Sequence, residues 1–318
     1  MSFAVGTGTQ CAFGKESTFG TKATMTDLVN LTSETLSAAV EKGDEGSLLA
    51  SKTAMSRDLM SITVSGDVSF ILRPEFAGHL FYFATGGTDS VAASTPEGYH
   101  KHQMVLCEPN ANLPTFTVTV DRKVANKAYT GCTISNLSLT CAAGDYVSGS
   151  FSIMGYKEEE GTTVDLPAYT IPSYRCTSAT FTVGDETFDI SSATFTLDNA
   201  LVEAPQTYSS GLYSGQPQHG LRSVTVDFDI PYNTQVETLK EELLTTDSTA
   251  EVVLKFTSSD TNQFITLTMA NVSINSVTNN VSGTGLISAS ISGEALSVGD
   301  EEPLVVEIQD RVSTAYSA

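Results

Sequence analysis

Apolar and hydroxyl-bearing residues alternate along most of this chain. Between Ser61 and Phe70, Ile62, Val64, Val68 and Phe70 fall on one side of an extended chain, and Ser61, Thr63, Ser65, Asp67 and Ser69 on the other. Residues 115–120 (TFTVTV) alternate Phe116, Val118 and Val120 with threonines. Residues 146–155 (YVSGSFSIMG) alternate Val147, Phe151 and Ile153 with Ser148, Ser150 and Ser152. A period of two predicts strands with one apolar and one polar face. Helical spacing is confined to two stretches. Residues 74–84 put Phe76, Leu80 and Phe81 on one stripe, and residues 234–244 do the same with Val236, Leu239, Leu243 and Leu244. The pattern predicts a mostly β fold with about two short helices.

The pattern also repeats. LMSITVSGDV (59–68) aligns without a gap on LRSVTVDFDI (221–230), pairing Leu59 with Leu221, Ser61 with Ser223, Thr63 with Thr225, Val64 with Val226 and Asp67 with Asp229. Downstream, Phe76, Leu80 and Phe81 fall on Leu239, Leu243 and Leu244. TFTVTV then matches EVVLKF (251–256), CTISNLSL (132–139) matches LTMANVSI (267–274), and YVSGSFSI (146–153) matches LISASISG (286–293). Upstream, VNLTSETL (29–36) sits opposite TFTLDNAL (194–201). Segments matched in one order point to a tandem duplication.

We therefore expect an N-terminal arm (1–25), a first β domain (26–160), a linker rich in charge, Gly and Pro (161–175), a second β domain (176–298) and a C-terminal arm (299–318). The two terminal stretches lack counterparts and are read as extended arms that add to a neighbouring subunit. The stretch 86–113 reads as a long loop with no equivalent of its length in the second half.

Composition narrows the function. The 318 residues carry 16 Lys+Arg against 37 Asp+Glu, a formal net charge of −21. Such a balance argues against nucleic-acid recognition, which needs clustered cations. The acidity is uneven: residues 1–175 hold 12 basic and 18 acidic residues, and residues 176–318 hold 4 and 19. No apolar run reaches the roughly 18–20 residues of a membrane helix. The opening MSFAVGTGTQ lacks the basic and apolar regions of a secretory signal. Five cysteines (Cys11, Cys107, Cys132, Cys141, Cys176), odd in number and without a CxxC pair, read as reduced, partly buried thiols of a protein made in a cytoplasm.

Catalytic signatures are missing. His100 and His102 flank Lys101 with no third ligand in evidence and are read as part of a solvated loop. GTG at 6–8 lacks the dinucleotide fingerprint, and neither a phosphate-binding loop nor a nucleophile elbow occurs. The carboxylates Asp185, Glu186 and Asp189, and Glu158 to Glu160, do not follow a calcium loop and read as solvated turns. No enzyme, metal or cofactor is expected.

Four stretches in this order, FGKESTFGT (13–21), SITVSGDVSF (61–70), YTGCTISNLSL (129–139) and YVSGSFSIMG (146–155), together with the short helix, resemble the tail tube (major tail) proteins of long-tailed bacteriophages. The resemblance spans nearly the whole chain. It implies a β-sandwich or barrel with one flanking helix, six such domains to a ring, and rings stacked into a hollow tube that conducts the genome. It implies a virion tail location and, as partners, further copies of the chain, the tape measure, tail terminator and distal tail proteins, with double-stranded DNA passing through unbound. No membrane is involved.

With two copies per chain, three chains would close a ring of pseudo-sixfold symmetry. In that arrangement the polar face of the repeated strand supplies candidates for the lumen: Ser61, Thr63 and Asp67 in the first copy, and Ser223, Thr225, Asp227 and Asp229 in the second. An anionic, hydroxyl-rich lining would repel the phosphate backbone. Outward-facing solvent exposure is the alternative for this face. The opposite face, Ile62, Val64 and Val68 with Val224, Val226 and Ile230, is core in either case. The competing reading of the whole chain is a binding module of two β-sandwiches, a virion decoration protein or a surface adhesin, with a loop-built ligand face.

Overall fold

The computed structural model describes residues 5–46, 53, 56–184, 186–241, 248–279 and 286–318. Its first half contains β1 (Gln10–Lys15), β2 (Asp27–Val29), β3 (Leu31–Glu34), β4 (Ser37–Asp44), β5 (Arg57–Ile71), α1 (Pro74–Thr85), β6 (Gly86–Ser94), β7 (Tyr99–Leu106), β8 (Phe116–Asp121), β9 (Asn126–Ala142), β10 (Ser148–Gly155) and β11 (Lys157–Glu160). The second half contains β12 (Ala179–Val183), β13 (Glu186–Thr187), β14 (Ser192–Asp198), β15 (Ser223–Pro231), α2 (Thr234–Leu239), β16 (Thr249–Thr257), β17 (Phe264–Thr278), β18 (Ser288–Ala295) and β19 (Val305–Asp310). The fold is mostly β, as the alternation predicts.

One pairing scheme occurs in both halves. β10 lies between β5 and the C-terminal part of β9, and β18 lies between β15 and the C-terminal part of β17. The N-terminal part of β9 pairs with β8 and β11; that of β17 pairs with β16 and β19. β1 then joins β8 as β12 joins β16. Each long strand thus serves two sheets, and the bend between them lets the sheets face each other across a core. Gly131, at φ 64°, lies at that change of partner in β9; a side chain there would strike Tyr156 and Phe19.

Pairing register corrects three details of the sequence alignment. Gly155 lies opposite Val64 and Gly293 opposite Val226, so 148–155, rather than 146–153, corresponds to 286–293. The strand that stands on β5 as β14 stands on β15 comes from residues 35–41 rather than 29–36, with Glu41 opposite Ser61 as Asp198 is opposite Ser223. β9 does correspond to β17, but Ile134 lies across from Ile153 and Val277 across from Ile291, not eight residues earlier. Ser/Thr alternation looks the same after a slip of two, so only cross-strand pairing fixes it.

Helix α1 begins with Pro74 at its first turn and ends at Gly86, whose left-handed conformation lets its N–H reach Tyr82 O. Phe76, Leu80 and Phe81 are fully buried in it, and Phe83 stacks on Phe116 with centroids 4.5 Å apart. The second helix starts at Asn233, whose side chain accepts from Val236 N, and buries Val236 and Leu239. Leu243 and Leu244 lie outside the described residues.

Three further expectations change. Segment 86–113 is no open loop: β6 and β7 form a hairpin, and β7 pairs along β19 from the far end of the chain. Residues assigned to arms are strands of this chain: β1 sits between β2 and β8 with Cys11 and Phe13 buried, and β19 sits between β17 and β7 with Val306 and Ile308 at 0 % exposure. Their apolar faces find cover within their own molecule. Strand β8 is buried on both faces, because Thr117 hydrogen-bonds the buried carboxylate of Glu16 at 2.7 Å and accepts from Ala23 N. Among the described residues, no helix is long and apolar enough to cross a membrane.

Candidate functional site: a polar sheet face

One continuous sheet surface is built from both halves. β14 pairs with β15 on one side and with β9 on the other, Ser192 opposite Ala142 and Asp198 opposite Asn136. That contact fuses the halves into one sheet ordered β4, β5, β10, β9, β14, β15, β18, β17. Side chains alternate across a pleated sheet, so the register fixes which of them share a face.

On one face, β5 presents Ser61, Thr63, Ser65, Asp67 and Ser69. Across the joint, β15 presents Ser223, Thr225, Asp227 and Asp229. All seven residues singled out from the sequence therefore lie on the same side of the same sheet. Their neighbours are equally polar: Ser148, Ser150 and Ser152 on β10; Asn136, Ser138 and Thr140 on β9; Ser192, Thr194, Thr196 and Asp198 on β14; Ser288, Ser290, Ser292 and Glu294 on β18. Glu41, opposite Ser61, continues the face onto β4. None of these positions holds Lys or Arg, whereas carboxylates recur at Glu41, Asp67, Asp198, Asp227, Asp229 and Glu294. Asp67 and Asp227 are exposed and Asp229 is half-buried.

Hydroxyls hold three of the carboxylates in place, beginning with Ser61, which donates to Glu41 Oε2 at 2.9 Å. Ser152 donates to Asp67 Oδ1 at 2.6 Å. Ser290 donates to Asp229 Oδ1 at 2.5 Å, and Ser192 donates to Asp229 Oδ2 at 2.8 Å. Charge is fixed on the sheet by neutral donors, and among the described residues no Lys or Arg pairs with these carboxylates, so the face carries a negative potential toward water.

The opposite face is core. Val64, Val68, Val224, Val226 and Ile230 are buried. Ile62 departs from that expectation, being half-buried where β10 has ended and Leu212 O accepts its N–H instead.

Both halves of the chain thus contribute strands to one polar sheet face. A family model described as phage tail tube protein matches residues 6–295. The chain belongs to the phage tail tube protein family. It is thus a structural component of a phage tail, and the family match covers both halves together with the joint between them. No curated protein matches the chain.

Within this tail tube protein, His102 serves the packing of the fold. Among the described residues, no group of three or more His, Cys, Asp or Glu is placed to hold a metal ion. His102, read from the sequence as solvated, is at 0 % exposure in β7. Its Nδ1 lies 2.9 Å from Asp89 Oδ2, and its Nε2 lies 2.9 Å from Val312 O and 3.3 Å from Asp310 Oδ1. Burial acts to lower its pKa, but hydrogen bonds to Asp310 and Asp89 outweigh it and raise the value to about 10. Tyr316 completes the cluster, donating its N–H to Asp89 and its hydroxyl to Asp310. The cluster clamps the last residues of the chain onto the first half. Nothing local could reveal it, since its members are brought together only by the β7–β19 pairing.

Proposed function

We propose that this chain is the repeating subunit of a hollow tail tube, that its halves are tandem tube-type domains (26–160 and 176–298, joined by 161–175), and that three chains close each ring. The observation that carries this reading is the joint between β9 and β14, which makes one sheet from four strands of each half. On this reading the same joint recurs between chains. The second edge of β4 pairs with no strand among the described residues, and the 274–278 edge of β17 pairs with β18 alone. β4 occupies on β5 the place that β14 occupies on β15, so it would receive β17 of the next chain as β14 receives β9.

Three copies supply about 24 strands; spaced about 4.8 Å apart and tilted about 40°, they close a barrel about 45–50 Å across between backbones. Side chains leave roughly 40 Å, which passes a DNA duplex about 20 Å wide. The polar face would line this bore. A lining that bound phosphate would add drag at each contact, whereas fixed carboxylates and hydroxyls keep water between wall and cargo. Tape measure, terminator and distal tail proteins would meet the ends of the stack.

Negative-stain microscopy of the purified chain tests the reading. Rings or tubes with a central hole and threefold classes are the expected result. A monodisperse monomer at every concentration and salt would overturn it and favour a binding module. Sixfold rings would retain the tube but mean that only one half of each chain lines the bore.

A further inference from the structure

One pair of thiols stands apart from the other cysteines. All five are buried and free. Burial pushes Cys11 up to about 12 and Cys132 well above its ordinary value, so both are inert. Cys141, at the end of β9, and Cys176, at the entry to β12, line one cavity of about 250 Å³ together with Ala143, Thr177, Phe181, Phe188 and Ile190. The backbone brings them there. The turn after β9 is closed by Asp145 N donating to Ala142 O, and Asp145 O in turn accepts from Cys176 N at 3.0 Å. A bridge between Tyr146 and Arg175 holds the same crossing.

We propose that Cys141 and Cys176 are a redox pair, which a peroxide closes into a disulfide tying the first half of the chain to the start of the second. The Cys141 thiol beside Cys176 and the Ala142 N–H lower the Cys176 pKa, and the same pairing raises that of Cys141. Cys176 is therefore the attacking thiolate and Cys141 the resolving thiol. Cys176 takes one oxygen from hydrogen peroxide to give a sulfenic acid, releasing hydroxide. The Cys141 sulfur then displaces that oxygen as water, its own proton leaving with the water. Two thiols and one peroxide give one disulfide and two waters, and the protein loses two hydrogens. The bond would close the segment 142–175, which includes the linker, and so restrict the unfolded chain. This inference is independent of ring formation.

The test treats the full-length protein with stoichiometric hydrogen peroxide, alkylates it in denaturant and weighs it intact. Reduced protein should take five alkyl groups and oxidised protein three, with a proteolytic fragment joining Cys141 to Cys176. C107S should still lose two thiols. C141S should stop at a sulfenic acid on Cys176, trapped by dimedone. The oxidised protein should melt a few degrees higher, and dithiothreitol should reverse the shift. Five remaining thiols under peroxide, a bond between any other pair, or loss of two thiols in C141S would each overturn the proposal. Because the wild-type count stands alone, a variant that fails to fold leaves the answer intact.

Discussion

Asp67 on β5 accepts a hydrogen bond from Ser152 on β10 at 2.6 Å, and this contact recurs in the second half between Asp229 on β15 and Ser290 on β18 at 2.5 Å. In both cases the serine is the residue directly opposite the aspartate in the strand pairing. The pairing scheme shared by the two halves therefore includes the placement of a charge and the hydroxyl that orients it.

If that face lines the bore, reversing its charge should create affinity for DNA. D67K/D229K tubes should retain duplex DNA at low salt and release it as salt rises, whereas wild-type tubes should not bind. Both positions lie on the polar face, so the variant should fold with stability changed by about 1 kcal/mol or less. Electrophoretic mobility of labelled duplex with assembled tubes checks this; equal retention by wild type would reject the lumen assignment.

His102 should make stability depend on alkaline pH. Its pKa is raised in the folded protein, so its contribution is fully present below the unfolded value near 6.5 and is lost as pH rises through about 10. Thermal melts from pH 6 to 10 should show declining Tm, and the decline should be shallower in H102Q. H102A leaves Asp89 and Asp310 buried without their partner and should cost about 3–5 kcal/mol.

Gly78 is the floor on which the C-terminal segment lies. A Cβ there would fall 1.9 Å from Tyr316 Cζ. G78A should displace the tyrosine ring, destabilise the fold by about 1–3 kcal/mol and expose residues 311–318 to limited proteolysis. An unchanged C-terminal cleavage pattern would contradict the packing described.

Glu16 organises the start of the chain. It is 6 % exposed and accepts from Gly20 N at 2.9 Å, Thr117 Oγ1 at 2.7 Å and Gly131 N at 2.8 Å. E16A strands three donors, two of them fully buried, and should cost about 2–4 kcal/mol in urea unfolding, with E16Q recovering part of it. Such a carboxylate explains why the FGKESTFGT stretch takes its observed shape.

By itself, the sequence determined the β class, helix α1 and the apolar and polar faces of β5 and β15, because each rests on a local period, and it showed the likeness of its two halves as similar strings. It also pointed to the family. Register stayed out of reach: a Ser-x-Ser-x strand satisfies the same pattern after a two-residue slip, and only pairing such as Gly155 with Val64 chooses one. Tertiary structure alone decided the β9–β14 joint, the β7–β19 pairing that draws in both the 86–113 segment and the C-terminus, and the burial of His102 between Asp89 and Asp310. Those contacts join residues tens to hundreds of positions apart. Their free energy comes from covering sheet edges and pairing buried charge, neither of which leaves a periodic mark along the chain.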